Sequence, residues 1–272
     1  MSIATLELRL FDLHPDIENQ ARNAPMAAGH DLLLLSNSSV HGRGYLEHAM
    51  PAIEDFLNGR KTIAFAPFAL FDRDGYTGRV QHALAPLGVT VTGLHTVDDP
   101  VAAVRASDVL FVGGGNSFRL LKNLQERRLL EPVRALVEAG QLAYMGSSAG
   151  TNMACPSLRT TNDMPIVQPA SFESFGLIPF QINPHYLDPD PDSKHMGETR
   201  EQRIAQFHEE NDVAVLGVRE GAWLRRKGDQ LTLCGTTGAR LMQRGQEPVE
   251  YAGGDDLSFL LSLDPRFDSP IS

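Results

Sequence analysis

The sequence predicts an α/β protein built on a mostly parallel sheet with helices over both faces. Three observations carry that prediction. Short apolar runs recur between residues 31 and 150, and amphipathic stretches of helical length separate them. The runs are continuously apolar rather than alternating, as strands buried on both faces require. The resulting βαβα order is the one that closes a parallel sheet between helical layers.

The elements follow in order. DLLLLSNSS (31–39) reads as a buried strand running into polar loop residues. YLEHAMPAIEDFLNG (45–59) places Leu46, Met50, Ile53 and Leu57 at helical spacing and ends on Gly59. KTIAFAPF (61–68) is a second strand, YTGRVQHALAPLG (76–88) a second helix and VTVTGLH (89–95) a third strand. DPVAAVRAS (99–107) is a short helix opened by Asp99 and Pro100, and DVLFVGGG (108–115) a fourth strand. NSFRLLKNLQERRLLEPVRALVEAG (116–140) holds one or two helices, and QLAYMGSSAG (141–150) is a strand that runs straight into a turn.

Beyond Ser148 the rhythm loosens. ETREQRIAQFHEEN (198–211) is an amphipathic helix, while VAVLGVREGAWLRR (213–226) and QLTLCG (230–235) read as later strands or hairpins. LDPDPDS (187–193) is a loop rich in Pro and Asp, and Arg225-Arg226-Lys227 reads as an exposed turn. Residues 1–29 are weakly patterned, an added edge strand or a poorly ordered tail. The expected organisation is an N-terminal extension over 1–30 and one α/β domain over 31–272.

Composition removes several function classes. A chain of 272 residues, 42% hydrophobic and 21% charged, buries a core large enough to need no disulfide or zinc staple. The two cysteines, Cys155 and Cys234, form neither a disulfide framework nor a zinc motif. A net charge of −10 lacks the basic footprint of a nucleic-acid binder. No apolar run approaches the roughly 20 residues of a membrane span. Glu7, Asp12, Asp16 and Glu18 interrupt any apolar core of a secretory signal. These features predict a soluble cytoplasmic protein with no nucleic-acid or membrane partner.

The sharpest chemical signal is Gly146-Ser147-Ser148-Ala149-Gly150, a G-x-S-x-G between a strand and a helix. A nucleophile on such an elbow sits in strained backbone that admits only small neighbours, and the helix N-terminus behind it favours developing negative charge. The alternative is that Ser148 simply caps the next helix. A serine nucleophile needs a base. His185, in FQINPHY (180–186), stands at a strand end, where open sheets place their chemistry. The orienting acid is Asp163, in TTNDMP (160–165), or Glu220, in VREGAW (218–223), and spacing does not choose between them.

Gly113-Gly114-Gly115-Asn116 supplies backbone amides for half an oxyanion hole, with Ala149 as the other half. Its rivals are a phosphate-binding turn or a turn that needs positive φ, but neither dinucleotide nor P-loop spacing is present. No cofactor is therefore expected. His195 and Glu198 have i,i+3 spacing but no evident third ligand, so no metal site is expected either.

These residues carry a resemblance. LLLLSNS, YLEHAMPAIEDFLNGRK, VGGGNSFRLLK, GSSAGTNMACPSLRTTNDMPIV, QINPH and GETREQRI, in this order from about Asp31 to about Gly235, resemble the peptidase E family of serine peptidases, the aspartyl dipeptidases. The resemblance implies a class I glutamine amidotransferase-like α/β sandwich with serine where those enzymes use cysteine. It also implies metal-free hydrolysis of dipeptides with N-terminal aspartate, through an acyl-enzyme, in the cytoplasm. By motif it puts the nucleophile on Ser148, the base on His185, the acid on Asp163 or Glu220 and the oxyanion amides on Gly115 and Ala149. It puts recognition of the substrate's acidic side chain on Arg200. The expected partner is a small dipeptide, and a homodimer stays open.

The chain departs from the family pattern in residues 1–29, at Ser147, where a bulky residue is common, and in the loop bearing Asp188, Asp190 and Asp192, whose charge disfavours an acidic substrate. Two alternatives follow: a cyanophycinase-like β-aspartyl peptidase, which an acidic loop suits, and a catalytically inactive binding module.

Overall fold

Four consecutive leucines explain the layering. In the computed structural model, which describes residues 29–189, 192 and 197–271, Asp31–Leu35 forms the strand β1. Side chains alternate across a strand. Leu32 and Leu34 therefore join Ala64, Ala66, Leu110, Val112 and Tyr144 on one face, and Leu33 and Leu35 join Ile63, Phe65, Phe111 and Met145 on the other. Each buried leucine contributes about 1.5–3 kcal/mol of transfer free energy.

The elements that follow are α1 (Met50–Leu57), β2 (Thr62–Ala66), α2 (Arg73–Leu84), β3 (Thr90–Gly93), α3 (Pro100–Arg105) and β4 (Val109–Val112). Then come α4 (Ser117–Glu126), α5 (Leu130–Glu138), β5 (Ala143–Ser147) and α6 (Ala149–Ala154). Helices α1 and α2 cover one face through Ile53, Phe56, Val80 and Leu84. Helices α4, α5 and α6 cover the other through Leu120, Leu124, Val133, Val137 and Met153. The segment 116–140 is thus two helices, parted where Arg128 takes φ 53°.

The main sheet has seven strands in the order β3-β2-β4-β5-β1-β8-β9, where β8 is Ala222–Lys227 and β9 is Gln230–Gly235. Its first five members pair in parallel, and β8 and β9 add antiparallel at one side. The expected mostly parallel sheet between helical layers is present. A second sheet was not anticipated. It has four strands in the order β11-β10-β7-β6, formed by β6 (Gln181–Pro184), β7 (Val215–Val218), β10 (Ala239–Met242) and β11 (Val249–Tyr251). Helix α7 (Arg200–Glu210) lies between β6 and β7 in the chain and opens with a capping box of Thr199 and Gln202.

The stretch 213–226 therefore divides. Its first half is β7 of the small sheet and its second half is β8 of the large one, with Arg219–Gly221 crossing between them. The Arg225-Arg226-Lys227 run is corrected as well: it belongs to β8, not to an exposed turn. Arg225 pairs with Asp31 on the neighbouring strand, and Arg226, 9% exposed, donates to the carbonyls of Leu177 and Gly228. Burial lowers the pKa of Arg226, and Asp229 opposes that shift. Residues 1–28, and with them most of the N-terminal extension, lie outside the described residues, as do Asp190 and His195.

Candidate active site

Each residue singled out for catalysis, apart from Asp163, lies just past the C-terminal end of a strand or in the turn that follows it. Ser148 follows β5, Gly115 follows β4, His185 follows β6 and Glu220 follows β7. Because β6 and β7 are parallel neighbours with Pro184 opposite Val218, His185 and the Arg219–Gly221 turn emerge side by side.

Ser148 takes φ 54°, ψ −113°, a conformation a non-glycine residue holds only when its surroundings over-determine it, at a cost of about 1–3 kcal/mol. Here they do. A Cβ on Gly146 would stand 2.6 Å from the Gly150 carbonyl oxygen, and one on Gly150 would strike the Val112 carbonyl, so the elbow closes only around small residues. The Ser148 amide donates to the Leu35 carbonyl at 3.0 Å. Its hydroxyl makes no capping bond to α6. Instead Ser148 Oγ lies 2.8 Å from His185 Nε2, and His185 Nδ1 lies 2.6 Å from Glu220 Oε1. An ionised carboxylate only accepts, so Nδ1 carries the hydrogen and Nε2 is left to accept the Ser148 proton. The side chains of His185 and Glu220 are 39% and 53% exposed, so the imidazole is open to solvent.

Asp163 is elsewhere. Its Oδ2 accepts from the Ser117 amide at 2.7 Å and the Ser117 hydroxyl at 2.6 Å, at the first residue of α4. Asn116 caps the same helix by accepting from the Arg119 amide, and its side-chain amide donates to the Met164 carbonyl. Asp163 thus fastens the 161–164 loop to a helix N-terminus, where a carboxylate is favoured.

The Gly113–Gly115 turn lies against Ser148: a Cβ on Gly114 would stand 3.6 Å from Ser148 Oγ. Gly115 has φ 132° and packs on Ala69 and Leu70, so no side chain fits there. Among the described residues the Gly115 and Ala149 amides meet no protein acceptor. Ser147 is fully buried, and its hydroxyl is likewise without a partner among them.

Arg200, the first residue of α7, is half-buried. Its acidic neighbours in sequence are committed to other partners: Glu198 to Gln206 and Arg203, Glu201 to Arg240. No hydrogen bond or ion pair engages Arg200 among the described residues. Burial, with Arg203 adding to it, lowers its pKa, and the Asp163 carboxylate opposes that shift. The acidic loop is quenched at Asp188, which accepts two bonds from Arg219 at 2.8 and 2.6 Å. Those bonds hold its carboxyl below the usual range.

Cys155 is fully buried and its thiol is pushed up to about 12, so it offers no competing nucleophile. No three His, Cys, Asp or Glu side chains among the described residues gather as a metal site. No helix among them is long and apolar enough to cross a membrane.

Two buried polar residues that accept from the backbone beside His185 and Glu220, Ser36 from the His185 amide and Asn37 from the Gly221 amide, are absent from the candidates the sequence yields. The signal for them was present in the Ser-Asn pair at the end of a buried strand, where open sheets assemble their sites.

Residues 32–234 match the sequence profile of Peptidase family S51. The chain is 60% identical over 241 residues to peptidase E of Streptomyces coelicolor, covering 88% of this chain and 98% of that protein. It is 49% identical over 238 residues to a probable alpha-aspartyl dipeptidase of Drosophila melanogaster, covering 87% and 99%. Its fold is similar to that of a peptidase from an acI-B1 actinobacterium, with a TM-score of 0.62 at 17% identity over 85% of this chain and 97% of that one. Identity at this level across nearly the whole relative, together with a serine elbow in the matched span, makes the chain a member of Peptidase family S51.

Proposed function

We propose that the chain is a serine dipeptidase that hydrolyses dipeptides with N-terminal aspartate. The observation that carries the reading is the continuous relay Ser148–His185–Glu220, with separations of 2.8 and 2.6 Å, on a strained elbow beside free backbone amides. The names of the relatives, peptidase E and alpha-aspartyl dipeptidase, support it.

In this mechanism Ser148 Oγ attacks the peptide carbonyl while its proton passes to His185 Nε2. The developing oxyanion is met by the amides of Gly115 and Ala149. The C–N bond breaks as His185 returns the proton to the leaving amine, which leaves an aspartyl ester on Ser148. Water then attacks the ester, His185 takes its proton and passes it to Ser148 Oγ, and free aspartate departs. Glu220 holds the Nδ1 hydrogen and stabilises the imidazolium. The enzyme acts in the cytoplasm and needs no cofactor.

Arg200 reads the aspartyl carboxylate. A carboxylate taken out of water needs a charged partner, and a guanidinium can meet it bidentately. Arg200→Ala costs about 2–5 kcal/mol of transition-state binding for an Asp-X substrate and much less for Asn-X. The ratio of kcat/KM for Asp-X over Asn-X therefore falls, and an unchanged ratio removes Arg200 from that role. Asp188 lends little weight to the cyanophycinase-like alternative, since it is already spent on Arg219.

The proposed steps use serine, imidazole, carboxylate and amide groups only. Activity survives exhaustive EDTA treatment followed by desalting; a loss that added zinc restores overturns the serine mechanism.

A further inference from the structure

The three residues at the end of β1 touch every arm of the relay. The Leu35 carbonyl accepts from the Ser148 amide at 3.0 Å and from the Thr151 hydroxyl at 2.6 Å, which pins the elbow and the first turns of α6. Ser36 Oγ accepts from the His185 amide at 3.0 Å and donates to the Val218 carbonyl at 2.8 Å. Asn37 Oδ1 accepts from the Gly221 amide, next to Glu220, at 2.9 Å, and its Nδ2 donates to the Ser39 carbonyl at 2.7 Å. Ser36 and Asn37 are 0% and 1% exposed.

Two features make these bonds more than ordinary satisfaction of buried groups. His185 takes φ 53°, so its backbone is in the left-handed region, sparsely populated for a non-glycine residue, and the Ser36 hydroxyl secures its amide there. The same hydroxyl grips the last residue of β7, and Asn37 grips Gly221 at the far side of the Arg219–Gly221 crossing. Base and acid belong to chain leaving the four-stranded sheet, whereas the nucleophile belongs to the seven-stranded one. Without a tie between the sheets, the 2.8 and 2.6 Å separations of the relay would vary with any small movement of one sheet against the other.

We propose that Ser36 and Asn37 are positioning residues that lock the base-and-acid arm to the nucleophile's sheet and so set the register of the Ser148–His185–Glu220 relay. The proposal rests on the dipeptidase reading for its kinetic arm and on geometry alone for its spectroscopic arm. The His185 Nδ1–H proton, in a short bond to a carboxylate, gives a strongly downfield proton resonance, identified by its loss in Glu220→Gln.

In Ser36→Ala and Asn37→Ala that resonance moves upfield or broadens. Hydrolysis of Asp-X loses roughly 10–100-fold in kcat, as expected when reacting groups are misplaced by a fraction of an ångström. KM stays within about twofold, since substrate contacts are untouched. If Ser36→Ala does not fold, Ser36→Cys fills the site with a slightly larger, weaker hydrogen-bonding group, and the same readouts apply. A resonance that does not move, or a kcat within about twofold of wild type, overturns the proposal whatever happens to Tm. If the wild-type chain cleaves no Asp-X dipeptide, the dipeptidase reading fails, while the resonance still decides whether Ser36 and Asn37 hold the relay.

Discussion

Ser148→Ala lowers kcat for an Asp-X dipeptide by a factor on the order of 10⁶, the scale set by removing a serine nucleophile whose neighbours stay in place. Folding is retained. The Ser148 hydroxyl makes no capping bond, and the bonds that shape the elbow come from backbone, through the Ser148 amide to Leu35 and the amides of Thr151 and Asn152 to the Ser148 carbonyl. Alanine accepts the same left-handed φ no more readily than serine, so the change in backbone strain is small. The measurement is kcat beside a thermal melt. A variant that keeps more than a tenth of wild-type kcat (roughly a 1.4 kcal/mol change in barrier or less) rules Ser148 out as the nucleophile.

The second large effect separates two carboxylates. Glu220→Gln loses up to about 10⁴ in kcat, because an amide at the Nδ1 position no longer holds the productive tautomer or stabilises the imidazolium. Asp163→Asn loses far less in kcat. Asp163 bonds to Ser117 rather than to His185, so its replacement weakens the anchorage of the 161–164 loop by about 0.5–2 kcal/mol, the range of a lost helix cap. The loss registers in Tm, and in KM through the nearby Arg200. Equal, mild losses in kcat for the two variants would falsify the assignment of Glu220 as the orienting group.

Why the choice between these carboxylates was not legible in the sequence is a matter of topology. Asp163 and Glu220 both stand in polar loops a few residues from apolar runs. What separates them is that β7 lies parallel to β6, and nothing in VAVLGVREGAWLRR states that its two halves enter different sheets. The elbow was legible because its requirements are local: a buried strand, small residues at 146 and 150, and a helix start. Boundaries were legible where the residue after the cap also favours a helix start, as Pro100 does. Asp99 and Pro100 open α3 as expected, with the Asp99 carboxylate accepting from the Ala102 amide and Pro100 in the first helical turn. Helix α2 begins three residues before the expected 76, because Asp72 caps it through the Gly75 amide, in a sequence (Asp-Arg-Asp-Gly) that reads as a turn. The helix expected over 45–59 opens as a 3₁₀ turn, with Leu46 at φ 61° and Pro51 at the start of the α-helical part. The strands β10 and β11 span four and three residues, too short for a period to register.

The position of β1 has a consequence for how the chain is made. Leu32–Leu35 pair on one side with Tyr144–Ser147 and on the other with Arg226–Trp223. During synthesis at about 5–20 residues per second, a strand of four leucines therefore waits roughly 5–20 s for its first neighbour and 10–40 s for its second. Until each partner strand arrives, the matching hydrogen-bonding edge of β1 is open to other nascent chains, and pairing across such sequence distances is slow even once the partners exist. The elbow at Ser148 can form once β5 has docked, but Glu220 emerges only with the second partner strand, so the proposed Ser148–His185–Glu220 relay is completed together with closure of the sheet rather than ahead of it.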